Sequence, residues 1–246
     1  MVDKRETAGY SLKNLEWDTQ YFGVASARLE LESEISRTDV DEITGLARQY
    51  EFITIRNRGN NSHNNILIGT HTNAFLTDCN VYYRRAADIE RQIDSCISIK
   101  DELDYNDEIM QLAGISFSNS RFFKDPFISK KKAGRVYSEW INNAFSKKGR
   151  YFILYQETGM PVGFLLCSVS SESELSCELI AVNPKFKKRG IGRKLLDAFH
   201  ALSLELKTQM IMIPTQADNL PATRLYSSDG FLPGEFHTIY HWWPAR

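Results

Sequence analysis

Two periods of apolar spacing interleave along this chain, one of strands and one of helices. Ala27, Leu29 and Leu31 alternate with Arg28, Glu30 and Glu32, which predicts a strand with one exposed face. Ile43, Leu46, Ala47 and Tyr50 recur at helical spacing, and Phe52-Ile53-Thr54-Ile55 predicts the strand that follows. Val81-Tyr82-Tyr83 predicts another, after a stretch rich in Gly, Asn and Thr. Residues 84–107 are polar and mixed in charge, without a long apolar period, and the domain boundary is expected inside them, near residue 93. The expected organisation is a smaller N-terminal α/β domain over 1–93 and a second domain over 94–246.

The second domain has a clearer pattern. Ile109, Leu112 and Ala113 predict a helix, and residues 115–135, with aromatics, basic residues and Pro126, predict a long loop. Val136, Tyr137, Trp140, Ile141, Ala144 and Phe145 mark an amphipathic helix. Tyr151–Tyr155 and Val162–Val169 predict two strands, joined by the hairpin signal Glu157-Thr158-Gly159-Met160-Pro161. A third strand, Leu175–Val182, leads through Asn183-Pro184 into a helix over 190–206, with Ile191, Leu195, Phe199, Leu202 and Leu206 on one face. A strand at Met210–Ile213, a short helix at Leu220–Ser228 closed by Gly230, and strand-like Phe231–Leu232 and Thr238–Trp243 complete the chain. Antiparallel strands followed by a β-α-β-α-β run predict an α/β (α+β) fold on a mixed sheet.

Composition narrows the classes of function. The 246 residues suffice for one large domain or two small ones, and 42% hydrophobic with 25% charged residues is ordinary for globular proteins. A net charge of −1 gives no global reason to expect nucleic acid or an anionic membrane as partner. No apolar run approaches the roughly 20 residues that span a bilayer, and Met1–Glu6 leads into no apolar stretch, so neither a membrane segment nor a signal peptide is expected. Cys79, Cys96, Cys167 and Cys177 form no short-spaced pair and are read as reduced thiols, which suits a cytoplasmic protein. With five histidines also lacking ligand spacing, no metal site is expected.

The chemistry concentrates at Lys187-Lys188-Arg189-Gly190-Ile191-Gly192, between the strand ending at Val182 and the long helix. Glycines let backbone approach a ligand closely, and the first amides of a helix have no internal partners. Those amides and the positive end of the helix dipole favour an anion. Lys187, Lys188, Arg189 and Arg193 add charge. The plainer alternative is a strand-to-helix turn with a solvated basic face. Asn219, with Pro221 two residues on, has the signature of a helix N-cap.

Val182, Pro184 and Lys187-x-x-Gly190-x-Gly192, together with Asn219-x-x-Ala222-x-x-Leu225-Tyr226-x-x-x-Gly230-Phe231, resemble the signatures of the GNAT (GCN5-related) N-acetyltransferase superfamily over roughly residues 108–246. Lys187 stands where the family usually has Gln or Arg. Leu15-Glu16-Trp17-Asp18, Tyr21-Phe22-Gly23, Ser120-Arg121-Phe122, Tyr137 with Trp140-Ile141, and Thr215-Gln216 are similar to the TDP-fucosamine acetyltransferase group within it. The resemblance implies a GNAT fold with a mixed, mainly antiparallel sheet behind a smaller N-terminal α/β domain. It also implies acetyl-CoA or another acyl-CoA as co-substrate, and a TDP-linked amino-deoxysugar as acceptor.

On that resemblance, Ile180, Val182, Lys187, Lys188, Arg189, Gly190, Ile191, Gly192, Arg193 and Asn219 are expected at coenzyme A. Tyr226 is expected to be the acid for the departing thiolate. Glu178 is the candidate base, directly or through water, its plainer reading being an exposed strand glutamate. Arg121 is expected at the sugar nucleotide's diphosphate, with Phe122, Tyr21 and Phe22 at its base or sugar; a hydrophobic loop and an N-terminal core are the plainer readings. His200 is expected on the helix surface, and His237 and His241, flanking the last strand, are candidates to reach the cleft. Two rivals stand beside this reading: a GNAT enzyme acting on a protein N-terminus, polyamine or antibiotic, and a non-catalytic acyl-CoA sensor. A homodimer is left open.

Overall fold

The computed structural model describes residues 9–88, 90–117, 120–171 and 173–246. They divide into two compact units. The first comprises residues through Val81, with Gln216–Asp218 and Glu235–Arg246; the second is Tyr82–Thr215 with Asn219–Gly234. This division departs from the expected boundary near 93. Residues 82–93 go with the second unit, and the end of the chain returns to the first. A break in local periodicity marks a change of element, and here it does not coincide with the change of packing partners.

The first unit is built from β1 (Tyr10–Asn14), α1 (Glu16–Phe22), β2 (Ser26–Leu31), α2 (Arg37–Ala47), β3 (Phe52–Asn57) and α3 (Ser62–His71), with the start of β4 (Phe75–Ala86). β2 lies between β1, antiparallel, and β3, parallel. The strand that closes the chain, Leu232–Trp242, pairs antiparallel with β3. One core gathers Leu29, Leu31, Ile53, Ile55, Tyr240 and Trp242 with Val40 and Ile43 of α2 and Leu67 and Ile68 of α3. α2 starts where Ser36 and Asp39 form a reciprocal capping box. β2 is not half-exposed as its alternation predicts: Glu30 is only 4% exposed.

The second unit contains β5 (Ile97–Asp101), α4 (Asp107–Ser116), α5 (Arg121–Lys124), α6 (Lys130–Asn142), β6 (Arg150–Glu157), β7 (Met160–Ser171) and β8 (Glu174–Val182). α7 (Ile191–Glu205), β9 (Met210–Gln216) and α8 (Leu220–Ser228) follow, and β10 is the closing strand Leu232–Trp242. β5, β6, β7 and β8 pair antiparallel in chain order, and β9 joins β8 in parallel. Ile109, Leu112 and Ala113 of α4 and Ile141 of α6 pack with Phe152, Phe164, Leu166, Leu179 and Ala181 of the strands.

Three expectations change here. β5 falls in the stretch read as irregular; its five residues are half-buried or exposed beside β6, so they carry no apolar run. The loop 115–135 contains α5 and the first turns of α6, which starts at Lys130 because the Ser129 hydroxyl accepts the Lys132 N–H at 3.3 Å. The two short end strands are one, β10.

Candidate active site

β8 and β9 begin side by side and then part. Their pairing runs Glu174↔Met210, Leu175↔Ile211 and Ser176↔Met212 and stops there. From Cys177 to Val182, β8 continues against β7 alone. Its backbone groups on the β9 side are therefore left without a ladder. Where the strands part, Leu166↔Leu179 is followed by Cys167↔Cys177, so Glu178 is the extra residue of a β-bulge. Such a bulge bends its strand and re-aims a side chain.

The end of β8 feeds the open helix end. Asn183 accepts the Lys185 N–H at 3.0 Å and shapes the turn at Pro184–Phe186. Lys188 and Gly190 both take left-handed backbone, at φ 63° and 78°. At Gly190 a β-carbon would meet nothing within 4 Å, so the backbone angle alone asks for glycine. Gly190 is the N-cap of α7 and offers no side chain to it. Lys194 N–H bonds the Gly190 carbonyl at 3.2 Å, so the amides of Ile191, Gly192 and Arg193 precede the first helical bond. Gly192 has a different reason: a β-carbon there would stand 3.0 Å from Leu225 Cδ2 of α8.

The basic residues divide. Lys187 and Lys188 are exposed beside the open amides. Arg189 pairs with Glu157 at 2.7 Å and lies 5.1 Å from the Phe186 ring centre. Arg193 is turned to Asp229 and Ser228. Asp229 is 2% exposed and also receives Arg91 at 3.2 Å and His200 at 2.8 Å. Burial works to raise the Asp229 carboxyl, but the His200 hydrogen bond and the charges of His200, Arg193 and Arg91 hold it below the usual range. His200 is thus a buried partner of Asp229, not a surface residue. Chain distance hides this cluster, since its members come from α7, the end of α8 and the segment before β5.

Ile180 and Val182 are half-buried on β8, while Leu179 and Ala181 between them enter the core. Asn219 caps α8 through the Ala222 N–H at 3.4 Å, with Pro221 in the first turn, and donates to Thr215 Oγ1 at 3.2 Å. Tyr226, also on α8, is 2% exposed and packs between Tyr83 and Phe231, ring centres 5.7 and 6.2 Å away. No described residue accepts or donates a hydrogen bond at its hydroxyl. Burial, then the neighbouring Cys177 and Tyr83, push the phenol well above its ordinary pKa, so it keeps its proton at every physiological pH. Cys177, buried on β8, is raised by burial as well.

Glu178 is not an exposed strand residue. The bulge turns its carboxylate to Arg150, to Trp140 Nε1 at 3.0 Å and to Ser168 Oγ at 2.6 Å. These three donors, from β6, α6 and β7, carry no local sequence signal. With these donors on both of its oxygens, the carboxylate is fixed in place by neighbours from three elements.

The remaining acceptor candidates each have their own surroundings. Arg121 sits with its guanidinium 4.5 Å from the Phe122 ring centre, and Phe122 is 4% exposed, an anchor of its loop, not an open stacking surface. Tyr21 stacks on Trp17 at 4.9 Å in the first unit. Phe22 is 5% exposed and meets Phe52 edge-on at 5.6 Å, a core contact. His237 and His241 of β10 are buried, at 4% and 0%. Among the described residues no group of three or more His, Cys, Asp or Glu could hold a metal, and no helix is long and apolar enough to cross a membrane.

A half-open parallel strand pair beside a helix with free first amides is the acyl-CoA platform of the GNAT acetyltransferases. A sequence model described as the acetyltransferase (GNAT) family matches residues 109–231, half of the chain, and the chain belongs to that family. It is 31% identical over 138 residues to the spore coat polysaccharide biosynthesis protein SpsD of Bacillus subtilis (strain 168), covering 56% of this chain and 47% of SpsD. The chain thus spans about half the length of that relative. It is 25% identical over 225 residues to the dTDP-fucosamine acetyltransferase of Escherichia coli O6:H1, covering 89% of this chain and 92% of that enzyme. In fold it is similar to a GCN5-related N-acetyltransferase of Sphaerobacter thermophilus, with a TM-score of 0.60 at 12% identity over 95% of this chain and 76% of the other.

The family uses acetyl-CoA as co-substrate. The residues here fit such a group. The free amides at the start of α7 suit phosphate, and the unpaired edge of β8 suits the amides of a pantetheine arm.

Proposed function

We propose that this acetyltransferase transfers an acetyl group, or another small acyl group, to the amine of a TDP-linked amino-deoxysugar, within a ternary complex. The observation that carries the transfer is the parting of β8 and β9 after Ser176↔Met212. The acceptor class is supported by the relative named for dTDP-fucosamine, whose similarity extends over 89% of the chain and so includes the first unit. Sugar nucleotides are cytoplasmic metabolites, and the proposed location follows from them.

Acetyl-CoA, when bound, supplies an activated thioester. The amides of Ile191, Gly192 and Arg193, with Lys187 and Lys188, hold its phosphates. The β8 backbone from Ile180 to Val182 orients its arm, and Asn219 contributes from the head of α8. Tyr226 keeps a proton on its phenol oxygen for the sulfur that must leave. Glu178 is the proposed proton acceptor for the amine, acting through water because Arg150, Trp140 and Ser168 already occupy its oxygens. Holding both substrates in one geometry removes much of the entropic barrier.

The test is thiol release from acetyl-CoA across TDP-amino sugars with the amine at different ring positions, alongside a polyamine and an N-terminal peptide. Turnover confined to sugar nucleotides supports the reading. Turnover with the polyamine or peptide alone assigns another amine, and no turnover with any acceptor favours an acyl-CoA sensor.

A further inference from the structure

α6 carries a large aromatic side chain that the fold leaves partly in solvent. Val136 and Ile141 anchor the helix in the core, while Trp140 is 42% exposed. Single exposed apolar side chains are common on protein surfaces, but this one is fixed from two sides. Its indole N–H donates to Glu178 Oε2 at 3.0 Å. Its ring lies parallel to that of Tyr137, with an interplanar angle of 1° and centres 6.3 Å apart. Tyr137 in turn stacks on Phe117, centres 4.6 Å apart, and both of these rings rest against the core of the second unit. The three rings form a ladder with its foot on the core, and Trp140 is the end open to solvent.

Glu178 does not depend on Trp140 alone. Arg150 reaches the same oxygen, and Ser168 donates to Oε1 at 2.6 Å. The indole bond is thus a second donor on Oε2, and what it adds is direction. It fixes the torsions of the tryptophan side chain, so the aromatic surface is set before any ligand arrives. Rigid aromatic area with few torsions left to freeze makes a good binding surface. The result is a flat apolar wall beside the bulge of β8, with the Glu178 carboxylate and the Arg150 guanidinium at its edge. Apolar walls joined to a few convergent polar groups are the usual make-up of small-molecule sites.

Such a wall selects by polarity. The face of an aromatic ring is electron-rich and attracts the slightly positive hydrogens of C–H bonds. A hydroxyl laid on the same face gives up water without gaining a partner. A deoxyhexose whose exocyclic carbon is a methyl group offers C–H bonds where the parent hexose offers a hydroxyl.

We propose that Trp140 is a specificity-determining residue for the acceptor: its indole takes the apolar face of the amino-deoxysugar ring, methyl group included, with the amine towards Glu178. This role rests on the acceptor being a TDP-linked amino-deoxysugar, and it names the side chain that tells such a sugar from its hydroxylated parent.

The test compares kcat/KM for two acceptors at saturating acetyl-CoA, using the full chain. One is the TDP-linked amino-deoxyhexose that turns over best; the other is the same sugar with its exocyclic hydroxyl restored. The wild type favours the deoxysugar by roughly ten- to a hundredfold, the range over which an apolar surface discriminates a single group. Two variants separate the ring from its N–H. Trp140→Phe keeps an aromatic face and loses the bond to Glu178, and it retains most of the preference. Trp140→Gln keeps an N–H donor on the side chain and loses the face, and its preference disappears while KM for acetyl-CoA and melting temperature stay near those of the wild type. A Trp140 that only held Glu178 in place would change kcat for both sugars by the same factor and leave their ratio alone. Should Trp140→Gln melt early, Trp140→Leu, apolar but without a flat face, is read in its place with the same loss expected. A wild-type ratio in the folded Trp140→Gln protein, or a wild type without preference between the two sugars, overturns the role of Trp140 and leaves the acceptor class standing. A wild type that acetylates neither sugar overturns the acceptor class, and the role of Trp140 with it.

Discussion

Tyr226→Phe separates chemistry from packing in a way the structure makes sharp. The ring is 2% exposed and held by Tyr83 and Phe231, contacts that phenylalanine keeps. The hydroxyl has no hydrogen-bond partner among the described residues, so its removal breaks no bond. The variant should therefore be about as stable as the wild type, its melting temperature within about 2–4 °C, the shift that ~1 kcal/mol gives a chain this size. If the phenol protonates the departing sulfur, turnover falls by roughly 10²–10⁴-fold, about 2.7–5.5 kcal/mol in the barrier. The loss belongs to kcat and leaves the affinity for coenzyme A near its original value, because the interaction strengthens only as charge builds on sulfur. Single-turnover kinetics with calorimetry and thermal melts read all three quantities. A near-normal single-turnover rate would refute the acid role, and a melting temperature several degrees lower would refute the packing argument.

Further consequences follow from the same geometry. Gly192→Ala presses on Leu225, so it should lower the melting temperature and raise KM for acetyl-CoA by about ten- to a hundredfold; adding Leu225→Ala should restore stability but not KM, and recovery of both would make Gly192 a packing residue only. Glu178→Gln keeps the bulge but removes the carboxylate that Arg150 meets, so kcat should drop with KM for acetyl-CoA near its original value; an unchanged kcat would dismiss Glu178 as base. Alkali should destabilise the fold: burial raises Tyr226, Cys167 and Cys177, so the unfolded chain releases these protons first and stability declines as pH rises above about 9. Urea melts at pH 8 and pH 10 test this, and Tyr226→Phe should flatten the decline above pH 10. For His237, held low by burial and by Arg56 and Arg58, the sign is opposite: the unfolded chain takes up the proton first as pH falls below about 6.5, and stability is lost. His237→Gln should remove that part of the acid slope, and an unaltered slope would contradict it.

Elements with strong local punctuation were legible in the sequence. Asn219, Pro221 and Gly230 bracket α8, and it runs from Leu220 to Ser228 as their spacing predicts. Gly190 and a five-residue apolar face mark α7 as plainly. What stayed hidden depends on partners distant in the chain. The Glu178 bulge arises from register with β7, and nothing in Cys177-Glu178-Leu179 announces it. The burial of His200 and Glu30 depends on charges brought from other elements, and a polar residue in an apolar pattern reads as solvent-facing until those are seen. Phe122 reads as a loop aromatic free to stack, but the fold buries it. The parting of β8 from β9 is invisible for the same reason, since it depends on which residues of two separate strands pair, and the pattern of β8 does not change after Ser176 to mark it.

The measurement that bears most directly on the central claim is mass spectrometry of the product formed from acetyl-CoA and a TDP-linked amino-deoxysugar. The account predicts one acetyl group gained, as an amide on the sugar nitrogen, and formed without any acetylated enzyme when acetyl-CoA is supplied alone. An unmodified sugar nucleotide under conditions where the protein binds coenzyme A, or an acetylated protein that passes its acetyl group on in a second step, would contradict it.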